Sequence, residues 1–140
     1  TNVNSVLELS NFYSKYNIEN KIFSFDKNFS KILHQVDLCI TRAGASTLAE
    51  LSVSNIPFIA VPLPSSKDNH QLENANFYKD NGCCWIIEQD NFEEKIEETL
   101  KNIIKKNIDF FKKKENLKKI NYKNTWINVN QKILRTLNEN

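Results

Sequence analysis

The chain has 140 residues, a net charge of +2 and 40% hydrophobic residues, enough for one compact domain with its own core. Its three cysteines, Cys39, Cys83 and Cys84, have neither the number nor the spacing of a disulfide framework or a zinc site, and no metal is expected. No signal peptide is expected, and no apolar run approaches the ~20 residues that span a bilayer, so a cytoplasmic location is expected.

Charge is unevenly spread. Residues 1–100 carry 8 Lys/Arg against 14 Asp/Glu, net −6, whereas residues 101–140 carry 11 against 3, net +8. The basic end is either a set of solvated helix faces or an electrostatic contact with anionic lipid or an acidic partner. The sequence contains no methionine and reads as a piece of a longer chain.

In chain order, Val6, Leu9, Phe12 and Tyr16 recur at helical spacing and predict an amphipathic helix over residues 4–16. Lys21–Phe25 predicts a short strand, and Asn28 a capped helix to about Gln35. Leu38–Thr41 is an apolar run that fits a strand buried on both faces. A helix follows over Ala45–Val53, then a buried strand over Pro57–Leu63. A helix over Asn69–Lys79 ends at Asn81-Gly82, before a third buried strand over Cys83–Ile87. Helices are expected over residues 92–106, about 108–120 and about 124–138. This alternation predicts an α/β fold, a Rossmann-like parallel sheet flanked by helices. Ligands of such sheets bind beyond the carboxyl ends of the strands. The loops after Thr41 and Leu63 are therefore the candidate site.

The first loop is Thr41-Arg42-Ala43-Gly44-Ala45-Ser46-Thr47-Leu48-Ala49-Glu50. Small residues at a strand–helix turn serve tight packing or let a ligand phosphate approach the unpaired N–H groups of the helix start. Glu50, one to two turns into the helix, is either a solvated carboxylate or an acceptor for ribose hydroxyls. The second loop, Pro64-Ser65-Ser66-Lys67-Asp68-Asn69-His70-Gln71, clusters amide and imidazole groups at another helix start. They suit sugar hydroxyls, or Asn69 caps the helix beside incidental polar neighbours. No His, Cys or carboxylate stands at metal spacing from His70, and no Ser–His–Asp arrangement is evident.

Arg42-Ala43-Gly44-Ala45-Ser46-Thr47-Leu48-Ala49-Glu50, Ile56-Pro57, Val61-Pro62-Leu63-Pro64, Asp68-Asn69-His70-Gln71 and Asn74-Ala75 together resemble the C-terminal, donor-binding domain of the bacterial peptidoglycan UDP-GlcNAc transferases. These are GT-B enzymes of glycosyltransferase family 28, which convert lipid I to lipid II. The resemblance is close over about residues 20–100. It implies an inverting hexosyltransferase that uses UDP-N-acetylglucosamine as donor and needs no cofactor. The Gly44–Thr47 turn, with Ala45 and Ser46, would face the diphosphate, Glu50 would bind the ribose, and Arg42 would be among the donor-binding residues. His70 and Gln71 would contact the GlcNAc hydroxyls, with Asn74 nearby. Phe25 would pack on the uracil and the backbone at Asp26 would hydrogen-bond it, although the family usually has an apolar residue where Asp26 stands.

The same resemblance divides the chain into a partial donor domain, residues 1–106, lacking the family's first strand and phosphate loop, and C-terminal helices over 107–140. The lipid I acceptor and the general base would belong to an N-terminal domain outside this chain. No catalytic residue is then expected here, and the chain alone is expected to be inactive. The parent enzyme would sit peripherally on the inner face of the bacterial membrane, with no nucleic-acid partner. A split UDP-GlcNAc transferase also carries an Asn-His-Gln run, and a non-catalytic, hydrolase or epimerase relative would share the scaffold.

Overall fold

The three apolar runs pair side by side. In the computed structural model, which describes residues 3–123, β1 (Cys39–Thr41), β2 (Phe58–Ala60) and β3 (Cys84–Ile86) form a parallel sheet in the order β1-β2-β3. The register places Ile40 opposite Ile59, and Ile59 opposite Trp85. Helix α1 (Val3–Lys15) and the short α2 (Phe29–Leu33) precede the sheet. Helix α3 (Ala45–Val53) connects β1 to β2, and α4 (His70–Asp80) connects β2 to β3. Helices α5 (Phe92–Lys105) and α6 (Asn107–Lys123) follow. The expected α/β fold with a parallel sheet is what forms. The helix expected over residues 124–138 lies outside the described residues.

The chain divides into two compact units, residues 1–34 and residues 35–140. In the first, α1 carries the expected apolar stripe, but Leu9, Phe12 and Tyr16 stay exposed, with the Phe12 and Tyr16 rings 5.0 Å apart. So short a unit has little interior in which to bury them. The strand expected over Lys21–Phe25 does not form: the segment joins no ladder among the described residues. An isolated extended run satisfies none of its own backbone groups. Asn28 precedes α2 without a side-chain cap; instead its N–H donates to the Asp26 carboxylate at 2.8 Å.

In the second unit the pleat sends alternate residues of β2 to opposite layers. The Phe58 ring meets Tyr78 of α4 edge-on at 5.4 Å. Its neighbour Ile59 packs with Val61, Ile87 and Ile103 of α5, beside Phe92, Ile96, Leu100 and Phe110. β2 is thus the strand buried on both faces, and every residue of it is inaccessible. β1 departs from expectation. Among the described residues it is an outer strand, as β3 is, and Ile40 remains 45% exposed. Helix α6 closes the unit against α3 and α5. It also holds β3, because the Trp85 indole N–H donates to the Asp109 carboxylate at 3.1 Å and the Lys113 ammonium lies 4.6 Å from the Trp85 ring.

Three helices end on one device. Asn17, Asn55 and Gly82 adopt left-handed φ of 55°, 55° and 67°, and the next N–H returns to the last turn: Ile18 to Tyr13, Ile56 to Leu51, Cys83 to Tyr78. Asparagine does twice what glycine does elsewhere, as a chain with 2 glycines requires. Gly82 is the demanding position, since a Cβ there would lie 2.8 Å from Asn116 Nδ2, the group that donates to the Gly82 carbonyl at 3.1 Å. Gly82→Ala should therefore lose about 2 kcal/mol, from left-handed strain and the displaced α6 tether. Urea unfolding at unchanged m-value would measure it; a loss below about 0.5 kcal/mol would mean Asn116 moves without cost.

All three cysteines are free, Cys83 and Cys84 buried and Cys39 half-buried. Burial pushes the Cys83 thiol to about 11 and the Cys84 thiol to about 12, from an ordinary 9.0. The folded state thus holds these protons longer than the unfolded chain does. Their contribution to stability is complete below pH 9 and falls as the pH rises from 9 towards 11 and 12. Unfolding curves across that range should show the decline, with a shallower slope in Cys83→Ala/Cys84→Ala. Equal slopes would mean that lysine and tyrosine titration accounts for all of it.

Candidate functional site

At the carboxyl end of β1 the chain turns through Arg42, Ala43 and Gly44 into α3. Ala43 is wholly buried, and its carbonyl accepts a hydrogen bond from Asn74 Nδ2 of α4 at 3.1 Å. Gly44 occupies the cap position of α3 and so offers no capping side chain. The first helical bond runs from Leu48 N–H to Gly44 O at 3.0 Å, which leaves the amides of Ala45, Ser46 and Thr47 outside the helical ladder. They sit at the positive end of the helix dipole.

Gly44 is not there for backbone freedom. Its φ is −69°, and an added Cβ would meet only Thr47 Oγ1, at an ordinary 3.9 Å. The chain itself would accept alanine at this position. A glycine that the fold does not require fits a site where something else must come close. Further along α3, Leu48, Leu51 and Ser52 are buried while Ser46, Ala49, Glu50 and Val53 are exposed. Glu50 therefore lies one turn behind Ser46 on the same open face.

The second loop runs from β2 into α4. Gln71 Oε1 accepts the Leu63 N–H at 3.0 Å, which ties the start of α4 to the end of the β2 run. Asn69 precedes α4, but its side chain makes no cap hydrogen bond, so capping does not account for the polar cluster. Asp68 and Asn69 instead adopt consecutive left-handed conformations, φ 52° and 54°. Asn17 and Asn55 have the same backbone for an evident reason, since each ends a helix. Asp68 and Asn69 begin one. Left-handed non-glycine residues cost on the order of 1–3 kcal/mol each and gather where a loop is held for function. His70 follows, exposed, as the first residue of α4.

The structure brings most of the expected residues together. Gly44, Ala45, Ser46, Thr47 and Glu50 lie on the turn and α3, while His70, Gln71 and Asn74 lie on the start of α4. Asn74 joins the two groups through Ala43. A pocket of about 340 Å³ is lined by Ala45 and Asn74 of these residues, with Glu73, Phe77 and Tyr78. Arg42 is directed elsewhere. Its Nη1 donates to Val61 O at 3.4 Å, and it lines a second pocket of about 420 Å³ with Thr41, Gln89, Phe92 and Glu93. Phe25 and Asp26 belong to the first unit, where Phe25 is 77% exposed and the Asp26 carboxylate lies 3.8 Å from Lys21 Nζ.

Sequence reasoning missed Gln89, Phe92 and Glu93. The same rule that pointed to the loops after β1 and β2 applies to the loop after β3, and would have found them. It also missed the tether at Ala43, for which a small residue before the glycine was the only signal. Among the described residues no cluster of His, Cys, Asp or Glu could hold a metal ion.

The chain is similar to known proteins. A Pelagibacter ubique protein is 46% identical over 129 residues, 91% of this chain and 36% of that relative. A Rickettsia bellii protein is 39% identical over 99 residues, 70% of this chain and 28% of its own length. Both are named UDP-N-acetylglucosamine--N-acetylmuramyl-(pentapeptide) pyrophosphoryl-undecaprenol N-acetylglucosamine transferase. The crystal structure of Acinetobacter baumannii MurG superposes with a TM-score of 0.64 at 26% identity, over 74% of this chain and 30% of that one. This chain thus spans about a third of the length of the relatives it matches. Residues 2–126 match the glycosyltransferase family 28 C-terminal domain, and the chain belongs to that family.

Proposed function

We propose that this chain binds the nucleotide-sugar donor for the inverting transfer of N-acetylglucosamine from UDP-N-acetylglucosamine to the lipid-borne N-acetylmuramyl-pentapeptide. The observation that carries the reading is the tethered pair of helix starts. An uncapped turn that does not need its glycine stands one helical turn from an open carboxylate, and Asn74 locks it to a second, polar helix start. The names of the relatives support this donor and acceptor, and the geometry of the α3 and α4 starts supports the tasks proposed for their residues.

The amides of Ala45, Ser46 and Thr47, at the positive end of α3, hold the donor's diphosphate. As the anomeric carbon–oxygen bond breaks, the electron pair passes to the diphosphate oxygen, and these fixed donors stabilise the growing charge without having to reorient. Glu50 accepts the ribose hydroxyl protons. His70 and the amide nitrogen of Gln71, whose oxygen is already held by Leu63 N–H, meet the sugar hydroxyls. The uracil contacts of Phe25 and the backbone at Asp26, which belong to the first unit, rest on the family resemblance alone. Arg42 stays available at the strand ends. The acceptor hydroxyl attacks the anomeric carbon from the face opposite UDP, and its proton leaves to a base that we assign to no residue of this chain. A lipid-borne acceptor places the enzyme at the inner surface of the bacterial membrane, held peripherally.

Two outcomes are expected. In titrations of UDP into the intact protein, Glu50→Ala should weaken binding ten- to a hundredfold, because a hydrogen bond to a charged group is worth about 1.5–3 kcal/mol. Gly44→Ala should also weaken it while leaving the unfolding midpoint unchanged. If both variants bind UDP as wild type does, the turn is a packing device and the reading fails.

Turnover of UDP-N-acetylglucosamine should exceed that of UDP-glucose by roughly tenfold or more, since polar groups built for one sugar are left unpaired by another. Equal efficiency of the two donors would remove His70 and Gln71 from the sugar site.

A further inference from the structure

The pocket beside the start of α3 has three lining residues with no task in the donor site. Ala45 and Asn74 belong to that site, whereas Glu73, Phe77 and Tyr78 do not. His70, Glu73, Asn74 and Phe77 stand at i, i+3, i+4 and i+7 of α4, so they share one face of the helix. The pocket therefore continues the face that opens with His70, and it reaches α3 at Ala45. A sugar whose diphosphate lies on the Ala45–Thr47 amides, with hydroxyls at His70 and Gln71, has this pocket along one edge.

The chemistry of the lining is one-sided. Asn74 uses its Nδ2 on the Ala43 carbonyl, which leaves its own carbonyl oxygen to offer. The Tyr78 hydroxyl is engaged with Ser52. Glu73 is exposed and brings a carboxylate, which only accepts. Phe77 is 52% exposed, and its ring meets Tyr78 edge-on at 5.1 Å, so an open aromatic wall stands one helical turn from the carboxylate. The side-chain polar groups of this pocket are thus acceptors or already engaged. Glu73 lies in the first turn of α4, where it also complements the helix dipole. The dipole accounts for a carboxylate there but not for the open ring beside it.

A group that suits such a pocket donates a hydrogen bond and carries a carbon to lay on the ring. Of the substituents of a hexosamine, the C6 hydroxymethyl does both. The acetamide does not, because its carbonyl would leave water and meet no side chain free to donate. A carboxylate at C6 would meet Glu73 as a like charge. We infer that Glu73 and Phe77 form the subsite for C6 of the donor sugar: Glu73 accepts the C6 hydroxyl proton, Phe77 carries the methylene, and together they exclude donors oxidised at C6 to a carboxylate. The inference rests on the donor reading above and settles a part of the sugar to which that reading gives no residue.

The test is calorimetric titration of the intact protein with UDP, UDP-N-acetylglucosamine, its 6-deoxy analogue and its C6-carboxylate analogue. The wild type should bind the 6-deoxy and C6-carboxylate sugars on the order of ten- to a hundredfold more weakly than the parent donor. Glu73→Gln should narrow the gap to the carboxylate by about tenfold, and Glu73→Lys should reverse it in favour of the carboxylate. Phe77→Ala should weaken the parent donor and the 6-deoxy sugar alike, and leave their ratio unchanged. Each affinity is read against that of UDP, which has no sugar, so a general change in charge at the site does not imitate the effect. Both positions are exposed, so unfolding midpoints should be unchanged. A wild type that binds UDP but takes the three sugars equally, or Glu73 variants that keep the wild-type ratios, would overturn the inference and leave the donor site standing. A wild type that does not bind UDP would overturn the donor reading and the inference with it.

Discussion

The hydrogen bond from Asn74 to the Ala43 carbonyl holds the site in register. Ala43 is wholly buried, so water cannot serve its carbonyl, and a buried acceptor without a partner costs about 1–3 kcal/mol. The turn after β1 can therefore lie where it does only if α4 supplies a donor. That requirement couples two loops that the sheet alone would leave independent. β1 and β2 fix where each loop begins, but a loop is free to lean; Asn74 removes that freedom for the first and Gln71, through Leu63, for the second. The two helix starts then keep a constant separation. Pre-organisation of this kind spares a site the cost of ordering itself around its ligand.

The same logic explains where the chain accepts strain. Asp68 and Asn69 hold left-handed backbone at the entrance to α4, where neither ends a helix and neither is glycine. Gly44 shows the reverse, a glycine in ordinary backbone with room for a methyl group. The residues match what a ligand would ask of the two loops better than what the backbone needs. Elsewhere in the chain, at Asn17, Asn55 and Gly82, residue and backbone agree and the reason is local.

How much of this was legible in the sequence follows from range. Helices α3, α4 and α5 and strand β2 were readable because the 3.6-residue period, the prolines around Val61 and the Asn81-Gly82 stop are local signals. Lys21–Phe25 was misread because a strand exists only with a partner, and five residues do not reveal whether one is present. β1 reads like a central strand, yet it pairs with β2 on one side, so Ile40 is half open; composition does not report sheet order. The site divides along the same line. The turn and Glu50 stand together within ten residues, close enough for a local pattern to show them. The roles of Asn74 and Gln71 as ties, and the turn of Arg42 towards Val61, depend on contacts 31, 8 and 19 residues apart, which no local pattern carries.

Charge completes the argument. With 8 basic against 14 acidic residues, the first hundred residues repel an anion such as UDP at long range. The acids of α5 begin at Glu93 and Glu94, at the helix start where they complement its dipole, and Glu93 lines the pocket beside Arg42. Attraction for a diphosphate cannot then come from net field. It has to come from short-range donors in fixed directions, which screening over about 8 Å leaves intact while it suppresses the repulsion. Backbone amides at the start of α3 meet that condition, and their strength does not depend on the charge of the surrounding surface. The basic residues are segregated to the other end of the sequence, where the α5–α6 corner presents them beside exposed isoleucine and phenylalanine. Amide donors at the start of α3 thus need none of the basic residues at the α5–α6 corner.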